Sequence, residues 1–284
     1  MTRLGMKLTA AAVTLIAGAI AVQEVRGQAP SQASQPVQPQ QPGTGGRGGR
    51  GGPPPAPRAG APVDLTGNWV AVITEDWMWR MRTPPKTADG RADVTSVPLN
   101  PAGRKLADAW DVAQDGKCEA YGVGGLMRMP TRLRISWEND TTLKIETDAG
   151  QQTRLLRFGS VPAPAERTLQ GHTIAEWLRA GGAFDAFLER GAGHGIGGQR
   201  WGQLKATTTN MRPGWLRRNG VPYSQDAVIT EYFIRYSPPG AGEWLTVSTQ
   251  VVDPTYLAQN PFITSSNFKK EPDGSKWNPQ PCRS

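Results

Sequence analysis

Between residues 132 and 158 the chain alternates apolar and polar side chains with a period of two, and this constrains the fold more tightly than any other feature. Leu133, Ile135 and Trp137 interleave with Arg132, Arg134 and Ser136. Glu138-Asn139-Asp140 supplies turn residues, and Leu143 and Ile145 then interleave with Thr142, Lys144 and Glu146. After Asp148-Ala149-Gly150 a third run covers residues 153–158. Successive side chains of a strand point to opposite faces, so the pattern predicts an antiparallel meander with one dry face and one wet face. A second β-rich block follows, with strands over residues 204–209, 226–236 and 244–252, and residues 262–268 placed to close the sheet. Helix is the minority. Asn100-Pro101 reads as an N-cap with proline at the first helical position, opening a helix over 102–110. Short helices are expected over 173–179 and 183–190, the second stopped by Gly191. The expected fold is mainly β, an antiparallel barrel or barrel-like sandwich with a few short helices, in one domain over residues 63–284.

The residues before that domain cannot build a core. All 21 aromatic residues lie in 63–284. Residues 1–27 carry Arg3 and Lys7, an apolar stretch over 8–22 and Val25-Arg26-Gly27, the pattern of a secretory signal peptide. Fifteen apolar residues are short for a bilayer span, so no stable membrane span is expected after cleavage, and the protein is placed outside the cytoplasm, periplasmic or secreted. Nine Pro, eight Gly and six Gln fill most of residues 28–62, a composition that reads as a disordered linker. Its Gly-Gly-Arg-Gly-Gly-Arg-Gly-Gly run, residues 45–52, reads as a solvated spacer. With these segments set aside, residues 63–284 keep 26 basic and 23 acidic residues, so a nucleic-acid partner is not expected. Two His and two Cys make an ordinary zinc or iron–sulfur site improbable, and neither a metal nor a cofactor is assigned. An even cysteine count in an oxidising compartment predicts a Cys118–Cys282 disulfide.

Gly67-x-Trp69 on the first strand resembles the lipocalin signature, in which that Trp closes one end of an antiparallel barrel. A wider pattern is similar to an exported family of soil bacteria. It comprises residues 64–85, the Ser96-Val97-Pro98-Leu99-Asn100 loop, Arg212-Pro213-Gly214, Asn219-Gly220-Val221-Pro222-Tyr223 and Phe268-Lys269-Lys270-Glu271-Pro272-Asp273. The resemblance covers most of residues 64–284 and implies a lipocalin-like β-barrel and export. A domain of this length exceeds what a bare eight-stranded barrel requires, which leaves the strand count open.

If residues 69–79 stay extended, Trp69, Glu75, Trp77 and Trp79 share one face, and a carboxyl among indoles is a general-acid candidate. The competing reading turns Glu75 outward or pairs it with an arginine. Glu231 and Tyr232 lie mid-strand in an apolar run, where Glu231 can meet Arg132, Arg134, Arg154 or Arg157. Residues 191–198 form a Gly-rich stretch holding His194, flexible but without the helix signal of a phosphate loop. The expected function is the binding of a small apolar or amphipathic molecule in the barrel interior, by Trp69, Glu75, Trp77, Trp79, Trp137, Glu231, Tyr232 and Trp244. Two rivals stand beside it: a hydratase or isomerase with Glu75 as proton donor, and a Trp-rich carbohydrate-binding or surface-interaction module.

Overall fold

A computed structural model describes residues 54–179 and 202–284. Nine strands form one closed barrel: β1 (Gly67–Val72), β2 (Arg132–Asn139), β3 (Thr142–Thr147), β4 (Thr153–Phe158), β5 (His172–Arg179), β6 (Gly202–Thr209), β7 (Val228–Tyr236), β8 (Trp244–Val252) and β9 (Phe262–Glu271). Around the barrel they run β1-β9-β8-β7-β6-β5-β4-β3-β2, and β1 closes it by pairing Trp69 with Lys270 on one side and Leu133 on the other. The expected meander is β2-β3-β4, with Ile135 opposite Ile145 and Leu143 opposite Leu156. Every neighbouring pair is antiparallel except β4 and β5, which run parallel and are joined by residues 159–171, a crossover of the length that a parallel pair needs. Nine strands and one parallel pair depart from the eight-stranded lipocalin plan.

Alternation decides what faces inward. On β7, Ile229, Glu231 and Phe233 are buried while Thr230 and Tyr232 are not; on β8, Leu245, Val247, Thr249 and Val251 are buried. Trp69, Leu133, Ile135, Leu143, Ile145, Leu156, Leu204, Phe233, Leu245 and Phe268 belong to the main core. A second cluster, including Val97, Val123, Met211, Leu216, Tyr223, Ile229, Val251 and Phe262, lies beside the end of the barrel where β9 begins. At the opposite end Trp137, Phe158 and Trp177 pack ring against ring, 5.4–6.4 Å between centroids. Residues 57–62, read from the sequence as the end of the linker, contact this end. The carbonyl of Pro57 accepts the Trp177 indole N–H at 2.8 Å, and Gly60 and Pro62 are buried.

Among the described residues three short α-helices lie outside the barrel: α1 (Trp77–Met81), α2 (Pro101–Ala109) and α3 (Val123–Leu126). The expected N-cap of α2 is present, with Asn100 Oδ1 accepting the Gly103 amide at 2.9 Å. Cys118 and Cys282 are bonded, which ties the C-terminal residues to the loop before α3. Two expectations are corrected. Residues 173–179 form strand β5, paired along both edges, because hydrogen bonding to β4 and β6 overrides the helical spacing of Ile174, Trp177 and Leu178. Residues 69–79 are not extended throughout: β1 ends at Val72, and Asp76, in the left-handed region at φ 50°, turns the chain into α1. The helix expected over 183–190, the Gly-rich stretch 191–198, the signal peptide over 1–27 and most of the linker lie outside the described residues. No helix among the described residues is long and apolar enough to cross a membrane.

Candidate functional site

The end of the barrel where β9 begins carries an unusual concentration of buried cations. Arg80 comes from α1, Arg128 from the turn after α3, and Arg217 from a short strand, Gly214–Arg217, that pairs with Val221–Tyr223. Their side chains are 1%, 9% and 6% exposed. Arg80 is the best satisfied, donating to the Arg128 carbonyl at 3.0 Å, Glu75 Oε1 at 2.6 Å and Ser266 Oγ at 3.1 Å. Arg128 donates to Thr264 Oγ1 and, at 2.9 Å, to Asp76 Oδ2. Arg217 reaches Ser96 Oγ at 2.9 Å and stands 3.7 Å from Asp76 Oδ2, but its Nε and Nη1 are buried with no acceptor. Buried donors without partners cost about 1–3 kcal/mol each, and more when charged, so they point to a group that completes them. Burial, and then the charge of Arg128, lowers the Arg80 guanidinium to about 10, and the same two causes lower Arg217.

Two spaces open beside these arginines. A small cavity of about 20 Å³, bordered by Trp79, Arg80, Arg128, Leu216, Arg217 and Arg218, has room for one water-sized group. A cleft of about 420 Å³ shares Arg128 with it and is walled by Pro98, Pro261, Phe262 and Ile263, with Glu75, Asp76, Ser96, Thr264 and Ser265 as polar edges. That volume falls in the range of small-molecule sites. Backbone strain gathers here as well: of the four non-glycine residues at positive φ among the described residues, Asp76 and Ser96 both face the arginines. Strained backbone of this kind persists where the surroundings over-determine it, often at binding sites.

The expected site residues are split between locations. Glu75 and Trp79 come to the arginine-lined mouth. Glu75 is not a carboxyl among indoles; it accepts from Arg80 and from the Thr74 hydroxyl. Trp79 donates its indole N–H to Asp93 Oδ2 at 2.5 Å. Burial pushes the Asp93 carboxyl up, but hydrogen bonds from Thr95 and the Trp79 indole, with the charge of Arg217, outweigh it and hold the group below its ordinary 3.8. Trp77 follows on α1 and is 61% exposed rather than interior, because the helix turns it away from the face of Trp69. Trp69 and Trp137 belong to the opposite end, where Trp69 donates to the Leu65 carbonyl at 3.0 Å. Tyr232 and Trp244 occupy the outward positions of β7 and β8, and Trp244 stacks under the Lys269 ammonium, 5.7 Å from the ring centroid. Glu231 is interior and fully buried, and it is held by Arg154 from β4.

Sequence reasoning missed Arg80, Arg128 and Arg217, which no spacing links. One signal was available. Arg128 stands alone in Gly124-Gly125-Leu126-Met127-Arg128-Met129-Pro130, and a single cation in an otherwise apolar segment is a candidate for burial; Arg217, next to Arg218, gave no such signal. No group of three His, Cys, Asp or Glu side chains suited to a metal ion occurs among the described residues.

Fold and site together define a closed, mainly β barrel whose interior is packed and whose polar, strained mouth is lined by arginine. Comparison with known protein families, curated proteins and solved structures finds no match to the chain.

Proposed function

We propose that this protein is an exported barrel that binds a small amphipathic molecule at its arginine-lined mouth. The observation that carries the reading is the cleft of about 420 Å³, with a wall of Pro98, Pro261, Phe262 and Ile263 leading to Arg128 and Thr264. An apolar wall running into a few converging polar groups is the ordinary construction of a small-molecule site. The interior proper is less suited to a ligand, since Trp69, Phe233, Phe268 and the Arg154–Glu231 pair fill it. The disulfide and the signal-peptide pattern of residues 1–27 support export.

A fluorescent amphiphile tests the reading. Titration of the full chain with 8-anilinonaphthalene-1-sulfonate is expected to show one saturable site. Ser265→Trp, which fills the cleft, should abolish it, while Trp137→Phe at the opposite end should leave it intact. Binding that survives Ser265→Trp but disappears with Trp137→Phe moves the site to the tryptophan end. No saturable binding removes the reading.

A further inference from the structure

Asp76 is the first residue before α1, and aspartate in that position ordinarily accepts a hydrogen bond from the first turn of its own helix. Here its side chain makes no capping bond. Asp76 adopts φ 50°, and its Oδ2 lies 2.9 Å from Arg128 Nη2 and 3.7 Å from Arg217 Nη2. The helix it should cap is five residues long; one side exposes Trp77, Met78 and Met81, and the other is held by buried Arg80 and the Trp79–Asp93 bond. The arginines are deeply buried, with Arg217 Nε and Nη1 unpartnered. Arg128 and Arg217 are thus approached by one carboxylate oxygen, Asp76 Oδ2, from a residue in a conformation that disfavours most residues.

We infer that the mouth recognises an anionic head group, a carboxylate or a phosphate monoester, and that the Asp76 carboxylate is its internal stand-in, displaced when the ligand binds. The inference rests on the amphipathic-ligand reading and adds the charge of the head. A guanidinium presents several donors in a planar fork, and one carboxylate oxygen shared with Arg128 leaves Arg217 Nε and Nη1 unused. A free carboxylate or phosphate brings two or three oxygens. One can enter the small cavity beside Arg217 while another takes the place of Asp76 Oδ2 at Arg128. The ligand's apolar body then extends along Pro261, Phe262 and Ile263. Displaced, Asp76 is free to cap α1, which offsets part of the cost of moving it.

Asp76→Asn and Asp76→Gly both remove the charge and both tolerate positive φ, so either keeps the turn. Calorimetric titrations of the full chain and the two variants with decanoate, decyl phosphate and decanol separate the possibilities. The parent is expected to bind the two anions and to bind decanol far more weakly; whichever anion binds more tightly names the head group. Both variants should bind the anions about tenfold more tightly, because no tethered carboxylate competes, and should change decanol binding far less. Unchanged or weaker anion binding in both variants overturns the stand-in role while the parent's binding upholds the amphipathic-ligand reading. Decanol binding by the parent as tight as that of both anions overturns the anionic head alone. Failure of all three probes on the parent overturns the underlying reading and the inference with it.

Discussion

Replacing Glu231 by Gln removes one charge from the most enclosed ion pair in the barrel, and the consequences can be worked from the structure. Arg154 on β4 and Glu231 on β7 come from strands separated by β5 and β6, so they meet across the interior. Both side chains are fully buried. The guanidinium uses two nitrogens, Nη1 to Oε1 at 3.1 Å and Nη2 to Oε2, while Nε has no partner. Glutamine keeps the shape but leaves the Arg154 cation with a neutral neighbour and no compensating charge. Breaking a buried pair from one side costs about 3–5 kcal/mol. That is a large share of the roughly 5–15 kcal/mol that holds a domain together. At about 2–4 °C per kcal/mol for a domain of this size, the melting temperature should fall by about 6–20 °C.

The paired substitution Arg154→Met with Glu231→Leu removes both charges and refills the space with apolar side chains. Its stability is expected to lie within about 1 kcal/mol of the parent, or above it, since a well-packed apolar replacement recovers the desolvation cost of the pair. Guanidinium unfolding followed by circular dichroism gives both values, provided the slope with denaturant is unchanged. A single substitution costing under about 1 kcal/mol, or a double as damaged as the single, refutes the reasoning, because the pair would then not be an isolated, mutually satisfied unit.

The disulfide closes a long loop, with a sequence separation of 164, and the chain-entropy account puts its contribution at up to about 5 kcal/mol; Cys118→Ala with Cys282→Ala should lower the denaturant midpoint accordingly, and a loss below about 1 kcal/mol would count against that account. Gly220→Ala should cost about 2 kcal/mol or more, because Gly220 sits at φ +76° and an added Cβ would lie 2.3 Å from Trp110 Cδ1, whereas Gly90→Ala, at φ +79° with nothing within 4 Å, should cost only about 1 kcal/mol of backbone strain. Equal melting temperatures for the two variants would show that Trp110 moves aside freely. Asp93 and Asp108 are held below their ordinary 3.8, so they add stability that is complete above that value and is lost as pH falls through their lower folded values. Unfolding midpoints taken from about pH 5 downward should therefore fall less steeply in Asp93→Asn than in the parent, and parallel curves would show that Asp93 adds nothing.

The parts of the fold that were legible in the sequence are those where a single face is buried. In β2 and β3 the dry positions Leu133, Ile135, Leu143 and Ile145 recur every second residue because the outer face meets water. Strand β5 was misread because Ile174, Trp177 and Leu178 are spaced as on a helix, and only pairing to β4 and β6 settles the matter. The extended reading of residues 69–79 failed at Asp76, although Thr-Glu-Asp before Trp-Met-Trp-Arg-Met is itself a helix-start pattern. The Glu231–Arg interaction was anticipated in kind, since a mid-strand carboxylate in an apolar run must find a cation, but four arginines were equal candidates until the barrel closed. The mouth was least legible. Its three arginines are brought together by tertiary folding from three separate segments, and a single sequence carries no trace of that convergence.

The closing of the barrel also explains why a binding site would lie at its rim. Eight strands enclose an interior just wide enough for side chains to fill, and nine enclose slightly more. Here the extra room is taken up by Trp69, Phe233, Phe268 and the whole of Arg154 with its carboxylate partner. The tryptophan end is covered in addition by residues 57–62 and the Trp137–Phe158–Trp177 rings. The remaining end is built from loops and from the five-residue α1, the kind of segment on which a rigid scaffold commonly carries its binding residues. Inside the barrel, Arg154 answers Glu231 charge for charge, with only its Nε left unpartnered. At the mouth, three arginines face two half-buried carboxylates, and the donors left over on Arg217 mark where an anion from outside would be held.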